Sequence, residues 1–276
     1  MTEEALARIA AALEALAPSA ASQIDWTGQP AYVWGTHGGR AVDRLAAPDL
    51  ALLRGIDAQK EAVVGNVLRH AEGHAAHDML LWGARGMGKS ALLRAAIVSA
   101  QTARPGAIAL VQVAPDALPS LAALFRALGT VDRRFLVYID DLGFEDGDST
   151  GPRQLRSWLE GGVEARPANV RLAVTANRRA IVARHLSEQD DPINPRDVVD
   201  DRLALADRFG LSVGFHACSQ DDYLAIIAGY AAEYGLAFAA EDALEWSKRR
   251  GARSGRVAWQ FVTELAGRAG RPLPAR

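Results

Sequence analysis

Hydrophobic positions along the chain fall into two patterns, and their alternation predicts the architecture. Met79-Leu80-Leu81-Trp82, Ala107 to Val113, Phe135 to Ile139, Val170 to Thr175 and Leu211 to Phe215 are short apolar runs suited to strands buried on both faces of a parallel sheet. Between them apolar residues recur at spacings of three and four. That spacing predicts helices from about Asp57 to Arg69, from Ser90 through Leu93, Ile97 and Ala100 to the stop at Pro105-Gly106, and from Asp116 to Leu128. Strands alternating with helices imply an α/β fold, a three-layer αβα sandwich around a five-stranded parallel sheet. From Ser219 onward only helical periodicity remains. Ser219 and Asp222 are spaced as a capping box before Tyr223, and helical stretches at about 241 to 249 and 256 to 267 follow, so a small all-helical lid domain is expected.

The N-terminal region reads differently. Leu6, Ile9, Leu13 and Leu16 make an amphipathic stripe over residues 3 to 16, with Thr2 available as a cap. Residues 17 to 49 are rich in Pro, Gly and Ala, and Gly35-Thr36-His37-Gly38-Gly39 has the composition of a loop, which suggests a linker or extension. The expected organisation is an N-terminal helix and extension over 1–49, a nucleotide-binding core over 50–218 and the helical lid over 219–276.

Between the first apolar run and the helix that follows it stand Gly83, Ala84, Arg85, Gly86, Met87, Gly88, Lys89 and Ser90, with Ala91 next. This is the phosphate-binding pattern G-x-x-x-x-G-K-[ST]. Its glycines let successive N–H groups turn inward around a phosphate, Lys89 reaches the β/γ-phosphates, and Ser90 offers its hydroxyl to Mg²⁺. With 25 glycines and only Lys60, Lys89 and Lys248 as lysines, a chance match is expected in about two of a thousand such sequences. ATP and Mg²⁺ are therefore the expected ligands. The third apolar run ends in Asp140-Asp141, a carboxylate pair about 50 residues behind the loop: Asp140 would hold Mg²⁺ through water and Asp141 would polarise the attacking water. Asn177 closes the fourth run, where it could orient that water or touch the γ-phosphate.

Charge and cysteine content narrow the setting. A net charge of −2 gives no global basic field for nucleic acid or an anionic membrane. Cys218 is the only cysteine, which excludes an intrachain disulfide and a multi-cysteine metal site. The acidic start Thr2-Glu3-Glu4 is unlike a signal peptide and no apolar stretch approaches the ~20 residues of a membrane span, so the expectation is a soluble cytoplasmic protein with no membrane partner. His70, His74 and His77 are spaced so that two could share a helical face as metal ligands, but Gly73 interrupts the helix and no carboxylate or thiol lies at suitable spacing except Asp78, which disfavours a metal site.

Over about residues 50 to 270 these motifs resemble the AAA+ ATPases. Thr175-Ala176-Asn177 matches the sensor-one position, Asp207-Arg208-Phe209-Gly210 an arginine-finger region, and Arg253-Ser254-Gly255-Arg256 sensor two; Leu53 to Lys60 is similar to the stretch placed against adenine, with Ile56 as the contact. Leu159-Glu160-Gly161-Gly162, Asn177-Arg178-Arg179 and Asp207 to Gly210 resemble more closely still an uncharacterised bacterial AAA+ family known only as a domain of unknown function. The resemblance implies a homo-oligomer, ring or open ring, in which Arg208 enters the neighbour's site and Arg256 senses nucleotide from the lid of its own subunit. Arg202 competes with Arg208 for the first role, and Arg253 with Arg256 for the second. It also implies an ATPase that remodels or loads a protein or nucleic-acid client. Two positions depart from the pattern. Asp141 stands where most such proteins have glutamate, which implies slow hydrolysis or a switch governed by ATP occupancy, and Ala114 to Pro119 lacks the aromatic loop of polypeptide-threading machines.

Overall fold

The fold is that of a computed structural model describing residues 24–142, 158–159, 165–177 and 207–274. The amphipathic stripe over 3–16, the residues Arg178 and Arg179, and Arg202 lie outside the described residues. The elements are β1 (Ala31–Gly35), β2 (Gly38–Val42), α1 (Asp57–Ala71), β3 (Met79–Gly83), α2 (Lys89–Ala103), β4 (Ile108–Val113), α3 (Leu121–Gly129), β5 (Arg134–Ile139), β6 (Val170–Ala176), β7 (Leu211–Phe215), α4 (Gln220–Glu233), α5 (Ala240–Arg249) and α6 (Gly255–Arg268).

All five apolar runs form strands, and they pair in parallel as β4-β5-β6-β3-β7. Their side chains divide by parity between two faces. Phe135, Val137 and Ile139 of β5 pack into one core with Leu80, Val111, Leu172 and the α3 residues Leu124 and Leu128. Leu136 and Tyr138 enter the other with Leu81, Leu110, Val213 and residues Val63, Val67, Leu92 and Ile97 of α1 and α2. Helices on both faces make three layers, which is why these strands carry no polar alternation.

Among the described residues the sheet has seven strands rather than five. The stretch read from composition as a linker holds the β1–β2 hairpin, whose first strand pairs in parallel with β4 and whose second returns antiparallel. Its entry is fixed from inside. Arg133, buried, donates to the carbonyls of Trp26, Thr27 and Gln29, and the Trp26 ring sits 4.7 Å from that of Tyr32 and 6.2 Å from that of Phe135. The helix expected over 116–128 is also divided. Pro119 has no N–H to donate, and Pro115–Ser120 winds as a short 3-10 turn before α3 begins.

In the lid, α4, α5 and α6 enclose Tyr223, Ile227, Tyr230, Ala258, Phe261 and Val262. The capping box at Ser219 and Asp222 forms in both directions, and the Ser254 hydroxyl caps α6 through the Val257 N–H at 3.2 Å. Among the described residues no helix is long and apolar enough to cross a membrane.

Candidate functional site

The carboxyl ends of β3, β5 and β6 face one cleft, and the lid closes over it. β3 runs into the phosphate loop, which releases α2 at Lys89. Gly83 takes φ 136, and a Cβ there would collide with the Phe215 carbonyl of β7, so the loop must open on glycine. Gly86, at φ 79, lies against the start of α6. A Cβ at Gly86 would sit 3.0 Å from Ser254 Oγ and 3.1 Å from Arg256 Cβ, and the Arg256 N–H donates to the Gly86 carbonyl at 3.3 Å. The lid thus rests on the loop itself.

Side chains of two strands, β5 and β6, and of α2 converge on the Asp140 carboxylate. Its Oδ1 accepts from Ser90 Oγ at 2.9 Å, from Thr175 Oγ1 at 2.7 Å and from Tyr138 Oη at 2.5 Å. Burial alone would raise its pKa, but these three hydroxyl donors outweigh it and hold the carboxyl below its usual range. Burial, with the Asp140 carboxylate beside it, pushes the Tyr138 hydroxyl well above its ordinary value, so it stays a proton donor. A serine hydroxyl and an ionised carboxylate 2.9 Å apart are hard oxygen ligands of the kind Mg²⁺ takes alongside water and phosphate oxygens, so Ser90 and Asp140 fit that ion.

Lys89 Nζ donates to the carbonyls of Gly83 at 2.5 Å and Ala84 at 3.0 Å. Burial lowers its pKa, with Asp141 and Asp140 acting in the opposite sense. Asp141 has φ 51, the left-handed value found at no other non-glycine described residue. Its N–H donates to Thr175 Oγ1 at 2.8 Å, Oδ1 accepts from Asn177 Nδ2, and Oδ2 lies 3.1 Å from Arg85 Nη2.

Two adjoining cavities complete the cleft. One, open and of about 1310 Å³, is lined by the loop, Ala91, Asp140, Asp141, Asn177 and Arg256. The other, of about 770 Å³, is walled by the apolar Leu53, Ile56, Met87 and Ile226 and by the polar Arg54, Gln59, His216 and Asp222, a mixed lining that could take a base. Leu53, Met87 and Gly88 line both, so phosphates and base would share one continuous groove. Arg256 is the lid arginine on this groove, whereas the charge of Arg253 acts on Cys218. Arg208 is elsewhere. It precedes β7, whose Leu211 pairs with Met79 at the amino end of β3, so it lies a strand length, roughly 16 Å, from the phosphate loop of its own chain.

Thr175, Tyr138 and Arg94 also belong to the site; sequence reasoning named Thr175 only within the sensor-one stretch and gave Tyr138 and Arg94 no role. Thr175 joins the two aspartates, and Arg94 lines the cavity and lowers the Asp140 pKa through its charge. Thr175 and Tyr138 stand two residues before Asn177 and Asp140 on their strands, a period-two signal that they share a face with them. The three histidines do not gather. His70 lies in α1, buried, with Nε2 3.1 Å from the Phe135 carbonyl; His74 pairs with Glu72 at 3.3 Å; His77 packs under Gly210. No group of three metal-ligating side chains occurs among the described residues.

The model of a family described as "Protein of unknown function (DUF815)" matches residues 27–269. No curated protein matches the sequence. Among solved structures, the Thermotoga maritima RuvB Holliday junction branch migration motor is similar, at TM-score 0.52 and 16% identity over 82% of this chain and 68% of that one. The Aeropyrum pernix ORC2 protein in ADPNP–ADP complexes gives TM-score 0.54 and 15% identity over 83% and 66%, and the A. pernix ORC1 protein in complex with DNA gives 0.53 and 16% over 83% and 64%. At such identities the likeness establishes the fold alone, a P-loop αβα domain with a helical lid.

Proposed function

We propose, from the premise that this chain belongs to the DUF815 family, a membership that brings no activity with it, that the protein binds ATP with Mg²⁺ and hydrolyses it where two subunits meet, to remodel or load a macromolecular partner. The observation that carries the reading is the convergence of Lys89, Ser90, Asp140, Asp141 and the lid residue Arg256 on one cleft. In this reading the base lies against Ile56 and Leu53, while the N–H groups of the loop and Lys89 hold the phosphates. Lys89 already has its ammonium beside the loop carbonyls, so a small movement turns it to a phosphate. Ser90 and Asp140 would hold Mg²⁺, which would supply neutralisation of phosphate charge. Asp141 accepts a proton from the attacking water, which Asn177 orients. Arg208, a strand length from its own phosphate loop, serves the site of a neighbouring copy, where a guanidinium can stabilise charge on the γ-phosphate.

RuvB is described as a motor on Holliday junctions, and the ORC1 structure contains DNA, so nucleic acid is one class of partner that these neighbours suggest. A second reading is a switch in which ATP occupancy matters and turnover is negligible. Both oxygens of Asp141 are already engaged, which favours it. ATP turnover per subunit measured against protein concentration separates the two, with Lys89→Ala as the inactive control. The first reading expects turnover that rises with concentration and vanishes in the control. Tight ATP binding with turnover no higher than the control would favour the switch, and no binding would remove both.

A further inference from the structure

Arg85 is the third residue of the phosphate loop, and loop chemistry asks nothing of its side chain: N–H groups, Lys89 and Ser90 account for the phosphates. Here the guanidinium reaches across the cleft from the loop to the end of β5, with Nη2 3.1 Å from Asp141 Oδ2. The second oxygen of that carboxylate accepts from Asn177, and the Asp141 backbone is tied to Thr175 at φ 51. Asp141 is therefore gripped at both oxygens and at its N–H. A carboxylate with a donor already on each oxygen has little room to take a hydrogen bond from an attacking water.

Arg85 has a second partner within reach. Its side chain is 71% exposed, it lines the same cavity as Lys89 and Arg256, and its charge acts on Lys89. An ion pair this exposed is a weak restraint. Arg85 shares that cavity with Lys89, Ser90 and Asp140, the residues that the ATP reading sets around the last phosphate of a nucleoside triphosphate, and a guanidinium binds phosphate oxygens in a planar fork. We propose that Arg85 switches partner: it clamps Asp141 until a γ-phosphate enters the cleft, then moves to that phosphate and frees Oδ2 to accept the proton of the attacking water. The clamp makes the loop discriminate triphosphate from diphosphate and keeps Asp141 idle when only ADP is present. The inference rests on the ATP reading of this cleft.

The test is calorimetric and needs no turnover. ATP and ADP affinities are measured for the full chain, Arg85→Ala, Asp141→Asn and the double variant. Arg85→Ala is expected to weaken ATP about tenfold, the loss of one charged hydrogen-bonding partner, while ADP stays within about twofold. Asp141→Asn relieves repulsion of the phosphate in any background, but it also releases Arg85. It should therefore tighten ATP several-fold more when Arg85 is present than when residue 85 is alanine. Equal losses for ATP and ADP, or an Asp141→Asn effect that does not depend on Arg85, would overturn the switch and leave the ATP site standing. A wild-type chain that binds no ATP would overturn the ATP reading and the switch with it.

Discussion

His70 is held neutral by its surroundings. Burial, the largest influence, lowers its pKa from 6.5 to about 4, although the hydrogen bond to Phe135 works against the shift. A carbonyl only accepts, so Nε2 carries the proton of the neutral ring. Above pH 6.5 folded and unfolded chains are both neutral there; below it the unfolded chain binds a proton that the folded chain refuses until about pH 4. Stability contributed by this residue is thus present above 6.5 and lost as pH falls to about 4, on the order of 3 kcal/mol in all. His70→Gln, which keeps a donor for Phe135 but does not titrate, should flatten that part of the curve, checked by urea midpoints at pH 7 and pH 5. Asp140 calls for an equally mild variant. Alanine would strand the buried Tyr138 hydroxyl at a cost of roughly 1–3 kcal/mol, so Asp140→Asn is the cleaner probe. It should leave the melting temperature within a few degrees while lowering Mg²⁺-dependent ATP affinity about tenfold or more, whereas Asp141→Asn should keep binding and lose turnover. The aspartate pair and the loop were legible because their chemistry is local in sequence. The grip of Thr175 and Arg85 on Asp141 was not, since it joins residues 34 and 56 positions apart that only the sheet brings together.

At the scale of elements, the five central strands were readable because burial on both faces strips them of polar residues. The β1–β2 hairpin was hidden by its position. As the edge of the sheet it keeps Gly38, Gly39 and Arg40 partly or fully exposed, so its composition resembles a loop, and its one apolar clue, Tyr32-Val33-Trp34, is shorter than a usual strand. That the family match begins at residue 27 and includes this hairpin agrees with its place in the sheet. Helix α6 gives the sharpest element-level expectation. Its N-terminus lies so close to the loop that Gly86→Ala must push Ser254 and Arg256 outward, besides placing alanine at φ 79. Nucleotide affinity should fall about tenfold or more, with helix content by circular dichroism unchanged; an affinity equal to wild type would separate the lid from binding.

For the whole molecule the proposal is tested most directly at Arg208. A finger supplied in trans is worth on the order of 10³–10⁵ in rate, so Arg208→Ala should cut turnover steeply and leave ATP affinity nearly unchanged. Mixed with Lys89→Ala it should recover activity, because an intact Arg208 on one subunit then meets an intact loop on another. No recovery in mixtures that co-assemble by light scattering would count against a trans role. Strand β7 gives this arrangement a further meaning. One end of the strand follows Arg208, and at the other the Phe215 carbonyl presses on Gly83, where the phosphate loop begins. Five residues hydrogen-bonded into a sheet do not stretch, so if Arg208 serves a neighbouring copy as proposed, whatever shifts the loop in one subunit would displace the arginine offered to the next. Under that proposal, occupancy of successive sites would become a coupled equilibrium, each ligand altering its neighbour's affinity by the factor it receives in return.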